Sequence, residues 1–196
     1  MKNAVLFGDS LTYGYGVYKK DSLSYLIEKR FPKLSIINSG VNGDTTREAV
    51  LRLERDVLNF SPYLTTILFG SNDCAPGEWS HRTVEEFQSN LEIIIVRIRE
   101  KSPLCHIILI TPPPVDETVF MPWTTNKRLA PYCDAVRDLS QNKNCILADF
   151  NKYILEVSQG NLESFLQEDG CHLSEKCYIY LSEFIGNIIE DIINKE

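Results

Sequence analysis

The chain has 196 residues, 43% of them hydrophobic and 24% charged, with a formal net charge of −7. That is the make-up of a soluble globular protein, long enough to bury a full core and too short for two ordinary domains, so a single domain over residues 1–196 is expected. The acidic balance argues against nucleic acid or anionic membrane as the main partner and leaves a small molecule as the expected one.

Short apolar runs alternate with stretches of helical period. Residues 4–7 read as a strand, too short for the apolar core of a signal peptide. Residues 21–31 read as a helix with Leu23, Leu26, Ile27 and Phe31 on one face. Residues 34–37 are the second strand, 46–60 a helix, and 64–69 the third strand. Residues 83–101 form a helix that Thr83, followed by Glu86 three residues later, is suited to start. Residues 106–110 are a fourth strand, 126–141 a helix and 145–148 a fifth strand. Residues 174–195 close the chain as a helix with Ser174 at its N-cap. No apolar stretch approaches bilayer length.

Strands that are apolar almost throughout are buried on both faces, which implies a parallel sheet covered by helices on each side. In such sheets ligands sit beyond the carboxyl ends of the strands. That places Gly8-Asp9-Ser10, Gly40 to Thr45, Gly70-Ser71-Asn72-Asp73 and the long loop from Thr111 at one edge. The loop carries Phe120, Met121 and Trp123, which suit a lid, an acyl-pocket wall or simple packing, and loops of that length are usually functional.

The six cysteines are scattered, without a CxxC pair, and several lie in apolar runs. Buried free thiols and a reducing cytoplasm are the expectation. Cys74 and Cys171 fall near the candidate site and read as packing residues.

Three histidines are present. His81 lies in a polar stretch and reads as a surface residue. His106 opens a strand and reads as a hydrogen-bonded, partly buried one. His172 follows Asp169 by three residues, a spacing at which a carboxylate can reach one ring nitrogen and fix the tautomer. An Asp-Gly turn before a helix fits the same residues. Ser10 needs a base to become a nucleophile, and a turn with a capping serine fits Gly-Asp-Ser equally well. An acyl-transfer site also needs donors for an oxyanion, which the N–H groups of Ser10 and Gly43 and the Asn72 amide can supply.

Four blocks occur together and in order: Phe7-Gly8-Asp9-Ser10-Leu11-Thr12, Gly43-Asp44-Thr45-Thr46, Gly70-Ser71-Asn72-Asp73 and Asp169-Gly170-Cys171-His172-Leu173-Ser174. In these the chain resembles the SGNH, or GDSL, family of lipases and acylhydrolases. Thr111-Pro112-Pro113-Pro114 with Asn126 is similar to the isoamyl-acetate-hydrolysing branch, and Gly43-Asp44-Thr45-Thr46 to the bacterial thioesterase, arylesterase and lysophospholipase branch. The Gly-x-Ser-x-Gly elbow of the α/β-hydrolases is absent.

The resemblance implies Ser10 as nucleophile, His172 as base, Asp169 as its orienter, and Ser10, Gly43 and Asn72 as the oxyanion hole. It implies a flavodoxin-like three-layer α/β/α sandwich on five parallel strands. With no large cap domain and no membrane-binding amphipathic segment, a small soluble ester is the expected substrate, with neither cofactor nor metal expected. A metal-dependent phosphohydrolase using Asp9, Asp44, Asp73, Asp169 and His172 as ligands is the competing reading, since hard cations favour carboxylates. Oligomeric state is not encoded in any of these features.

Overall fold

A computed structural model describes residues 1–119 and 123–195. Strands β1 (Lys2–Gly8), β2 (Leu34–Gly40), β3 (Leu64–Leu68), β4 (His106–Ile110) and β5 (Ile146–Ala148) make one parallel sheet in the order β2-β1-β3-β4-β5. The strand after β1 pairs on one side of it and the third on the other, so the chain reverses direction across the sheet at β1. A crevice opens at such a switch point, outside the carboxyl ends of the two strands.

The alternation of side chains along β1 sorts the two cores. Ala4 and Leu6 pack with Leu68 and Ile108 under α2 (Leu23–Arg30), α6 (Phe150–Ser158) and α7 (Glu175–Asn194). Val5 and Phe7 pack with Ile67 and Leu109 under α3 (Thr46–Asp56), α4 (Val84–Lys101) and α5 (Asn126–Asn142). The result is the expected three-layer sandwich, with the central strands β1, β3 and β4 covered on both faces and the edge strands β2 and β5 partly exposed.

Strand register matters for the site. Gly8 pairs with Gly40 on one side and with Leu68 on the other, while Leu68 pairs with Ile110. The strands therefore end level, and the loops that follow emerge side by side. The single turn α1 (Ser10–Tyr13) lies across the end of β2 so closely that a Cβ on Gly40 would fall 2.2 Å from the Tyr13 nitrogen. Glycine at position 40 is what lets the α1 turn seat on the sheet.

The observed elements depart from the sequence reading in several places: β1 and β2 run longer, over Lys2–Gly8 and Leu34–Gly40, and two helices are shorter. The helix expected over 21–31 begins at Leu23, because Ser22 caps it and a 3₁₀ turn (Lys19–Asp21) precedes it. The helix expected over 46–60 ends at Asp56 and passes into a 3₁₀ turn, Leu58–Phe60, just before Pro62. Helix α6 was not expected at all. Its start is marked by Asp149, whose side chain accepts the Lys152 N–H, and only Phe150, Ile154 and Ser158 are buried, too few to make a clear period. Phe120 and Met121, considered above as lid residues, lie outside the described residues. Among the described residues no helix is long and apolar enough to cross a membrane.

Candidate active site

Ser10 opens α1 directly after β1. Asp9 caps that turn, its Oδ1 accepting the Leu11 N–H at 2.9 Å. From the other side Tyr178, buried in α7, donates its hydroxyl to the Leu11 carbonyl at 2.8 Å. The serine is thus held between the sheet and the last helix, and it is itself buried.

The turn from residue 167 to 172 presents the histidine. Its backbone is closed by Gln167 N–H to the His172 carbonyl (2.8 Å) and Gly170 N–H to the Gln167 carbonyl (2.9 Å). Gly170 takes a φ of +69°, and a Cβ there would fall 2.7 Å from the Asp116 carbonyl oxygen. Glycine meets both demands. The Asp116 N–H donates to the Gly170 carbonyl at 2.8 Å, so the long loop after β4 braces this turn. The loop is tied back to its own far end by Asn126, whose amide exchanges two hydrogen bonds with the Val115 backbone.

Within this frame the His172 Nε2 stands 3.0 Å from Ser10 Oγ and Nδ1 stands 2.6 Å from Asp169 Oδ2. Asp169 Oδ1 accepts the N–H groups of Cys171 and His172, each at 2.9 Å. Burial pushes the Asp169 carboxyl up, but the hydrogen bonds from the His172 ring and from those two N–H groups outweigh it and hold the group below its ordinary value. Ser10, Gly43, Asn72, Asp169 and His172 all line one open cleft of about 420 Å³, with Tyr15 and Trp123 on its walls.

Asn72 is anchored by donating Nδ2 to the Asp44 carbonyl at 2.9 Å, with Asp9 Oδ2 at 3.5 Å. Asp44 is fixed in turn by Arg52, a residue absent from the sequence reading. The Arg52 guanidinium is buried, pairs with Asp44 (2.5 Å) and Asp56 (3.1 Å), and donates to the carbonyls of Gly8 and Ser39, each at 2.8 Å. It also lies over the Phe7 ring at 4.5 Å.

The carboxylates of the phosphohydrolase reading go to separate partners. Asp44 is taken by Arg52, Asp169 by His172, and Asp73 by Thr46, whose N–H and hydroxyl reach Asp73 Oδ1 at 3.0 and 2.6 Å. Among the described residues no three His, Cys, Asp or Glu side chains are grouped to hold a metal ion. The six cysteines are free, and burial pushes the Cys74 thiol up to about 11 and Cys171 up to about 12. Neither is a thiolate near neutrality. His81 is exposed, and His106 is half-buried with its ring against Tyr63.

Burial also pushes the Asp9 carboxyl up to about 7. An unfolded aspartate titrates near ~3.9. Between those values the folded chain holds a proton that the unfolded chain has lost, so stability falls as pH rises through this window and levels off above it. Asp9→Asn keeps an acceptor for the Leu11 N–H and removes the titration. Its stability relative to wild type should therefore grow from pH 4 to pH 7, by up to about 4 kcal/mol at ~1.36 kcal/mol per pH unit. Urea midpoints across that range measure it, and a difference that does not change with pH would show that Asp9 stays ionised.

Residues 6–178 match the model of the GDSL-like lipase/acylhydrolase family. A GDSL esterase/lipase of Arabidopsis thaliana is 35% identical over 126 residues, 58% of this chain and 49% of that protein. The match thus spans about half the length of that relative. A second Arabidopsis GDSL esterase/lipase is 30% identical over 196 residues, 86% of this chain and 78% of the other. The crystal structure of a lipase/acylhydrolase from Enterococcus faecalis is similar with a TM-score of 0.86 at 30% identity, covering 97% of this chain and 96% of that one.

Proposed function

The chain belongs to the GDSL-like lipase/acylhydrolase family of esterases, and from that premise we propose that it cleaves acyl esters through a triad of Ser10, His172 and Asp169. The observation that carries this reading is the placement of one imidazole, Nε2 at 3.0 Å from Ser10 Oγ and Nδ1 at 2.6 Å from Asp169. Both distances are within hydrogen-bond reach.

His172 Nε2 takes the Ser10 proton as Oγ attacks the ester carbonyl. Asp169 keeps the other ring nitrogen protonated and stabilises the imidazolium. The oxyanion is met by the N–H groups of Ser10 and Gly43 and by Asn72 Nδ2. Asn72 is fit for this because Asp44 already fixes its orientation, so little reorganisation is needed when charge develops. His172 then protonates the departing alcohol. A water, deprotonated by the same nitrogen, attacks the acyl-enzyme and releases the acid. Every proton moves between Ser10, His172, water and the alcohol, and residues 1–196 act as one catalytic domain.

Small esters are the substrates proposed. The cleft of about 420 Å³ lies in the lower part of the range for small-ligand sites, and its walls are a few aromatic and polar side chains. A chain-length series of p-nitrophenyl esters should peak at short acyl groups.

A fluorophosphonate should add one adduct, located at Ser10 by peptide mapping. Absence of that adduct from active protein would sink the assignment. Asn72→Ala should lower kcat roughly a hundredfold with little change in KM, because the amide acts on the oxyanion more than on the ground state. A KM effect alone would move Asn72 out of the oxyanion hole.

A further inference from the structure

Building on the Ser10-His172-Asp169 reading above, we propose that Tyr15 is a positioning residue for the base, its ring walling one face of the His172 imidazole and stabilising the imidazolium that forms during attack. The two ring centroids are 4.4 Å apart with planes tilted by 38°. Both residues line the same cleft.

The Tyr15 backbone is tied to both halves of the catalytic pair. Its N–H donates to the Ser10 carbonyl at 3.1 Å. Its carbonyl accepts Gln167 Nε2 at 2.8 Å, and the same nitrogen donates to the Leu173 carbonyl at 2.9 Å, beside His172. One segment therefore links the turn that carries the nucleophile to the turn that carries the base. With the backbone fixed, the aromatic side chain has two torsions left, and packing against His172 restricts them.

An aromatic face is electron-rich and attracts a cation more than a neutral ring. Proton transfer from Ser10 converts the imidazole into such a cation, so contact with Tyr15 strengthens as the reaction proceeds. Tyr15 is 45% exposed, which puts the effect at the weak end for such pairs. The other ionisable groups around this ring are Asp169 on its Nδ1 side, Cys171 in the same turn, Asp9 behind Ser10 and Asp116 in the bracing loop. None of them changes when residue 15 does.

The test compares wild type, Tyr15→Leu, Tyr15→Phe and Ser10→Ala in fluorophosphonate labelling and in short-chain ester hydrolysis from pH 5 to 9. Leucine keeps an apolar cover and removes the aromatic face. Tyr15→Leu should lower kcat about fivefold, leave KM nearly unchanged, and move the acid limb of kcat/KM down by about half a pH unit. Tyr15→Phe should stay within about twofold of wild type with the limb unmoved. Pentafluorophenylalanine at position 15 keeps the ring and reverses its charge distribution, so it should follow leucine, and it serves if Tyr15→Leu fails to fold. An acid limb that stays in place in both variants overturns the role of Tyr15 while Ser10 labelling stands. A rise in KM alone also overturns it and makes Tyr15 a substrate wall. Labelling that persists in Ser10→Ala overturns the triad itself.

Discussion

Ser10→Ala should lower kcat to the level that binding and the oxyanion donors alone sustain, roughly a millionfold below wild type, and adding His172→Ala to it should cost almost nothing more. In the proposed mechanism the two groups act as one unit across the 3.0 Å contact, so removing either should end the same step. Asp169→Ala is milder, roughly ten-thousandfold, because it orients the base and stabilises charge without exchanging a bond with substrate. Its carboxyl is also 44% exposed, which lets water take part of its place. Pre-steady-state ester hydrolysis with thoroughly purified variants measures all three. Independent, multiplicative losses in the Ser10/His172 double variant would mean that the two do not share a proton.

Arg52→Met carries the largest expected loss of stability outside the catalytic residues, roughly 3–5 kcal/mol. Four acceptors depend on the guanidinium: the Asp44 and Asp56 carboxylates and the carbonyls of Gly8 and Ser39. Methionine fills the space but satisfies none of them, and leaves the Asp44 carboxylate without its cation. Lysine offers one point charge in place of a forked donor and recovers only part. Arg52→Met combined with Asp44→Asn should be more stable than Arg52→Met alone, since the stranded charge is then gone. Urea unfolding with an unchanged m-value is the measurement, and a loss below about 1 kcal/mol would show that these contacts contribute little. Activity should fall as well, through the Asp44 carbonyl that anchors Asn72.

Much of this was readable in the chain. Five apolar runs gave the strands, because a strand buried on both faces needs no alternation to be recognised. The four blocks around Ser10, Gly43, Asn72 and His172 marked the cleft, because a parallel sheet gathers the loops that follow its strands at one edge. The unread parts depend on tertiary geometry. Arg52 sits among Arg47, Glu48, Glu54 and Arg55 on a charged helix, and nothing local distinguishes it from a solvated side chain. Only the ends of β1 and β2, with their carbonyls at Gly8 and Ser39, draw it inward. Asp44 read as a possible metal ligand for the same reason, since its cation is eight residues away on the next helix. Tyr15 lies in Tyr13-Gly14-Tyr15-Gly16, where the aromatic residues are a visible signal, but which of them meets His172 is decided by a turn 157 positions later.

Ser10 and His172 meet across 162 positions of sequence. A growing chain leaves the ribosome amino end first, so Ser10, the proposed nucleophile, emerges before β2 to β5 and waits for its proposed base while they are made. The site closes only when the segment around His172 arrives and α7 docks Tyr178 against the Leu11 carbonyl. If Ser10 and His172 are the nucleophile and base proposed above, hydrolysis waits for the segment around residue 172, and a chain truncated before it should be inert however well its first strands have formed.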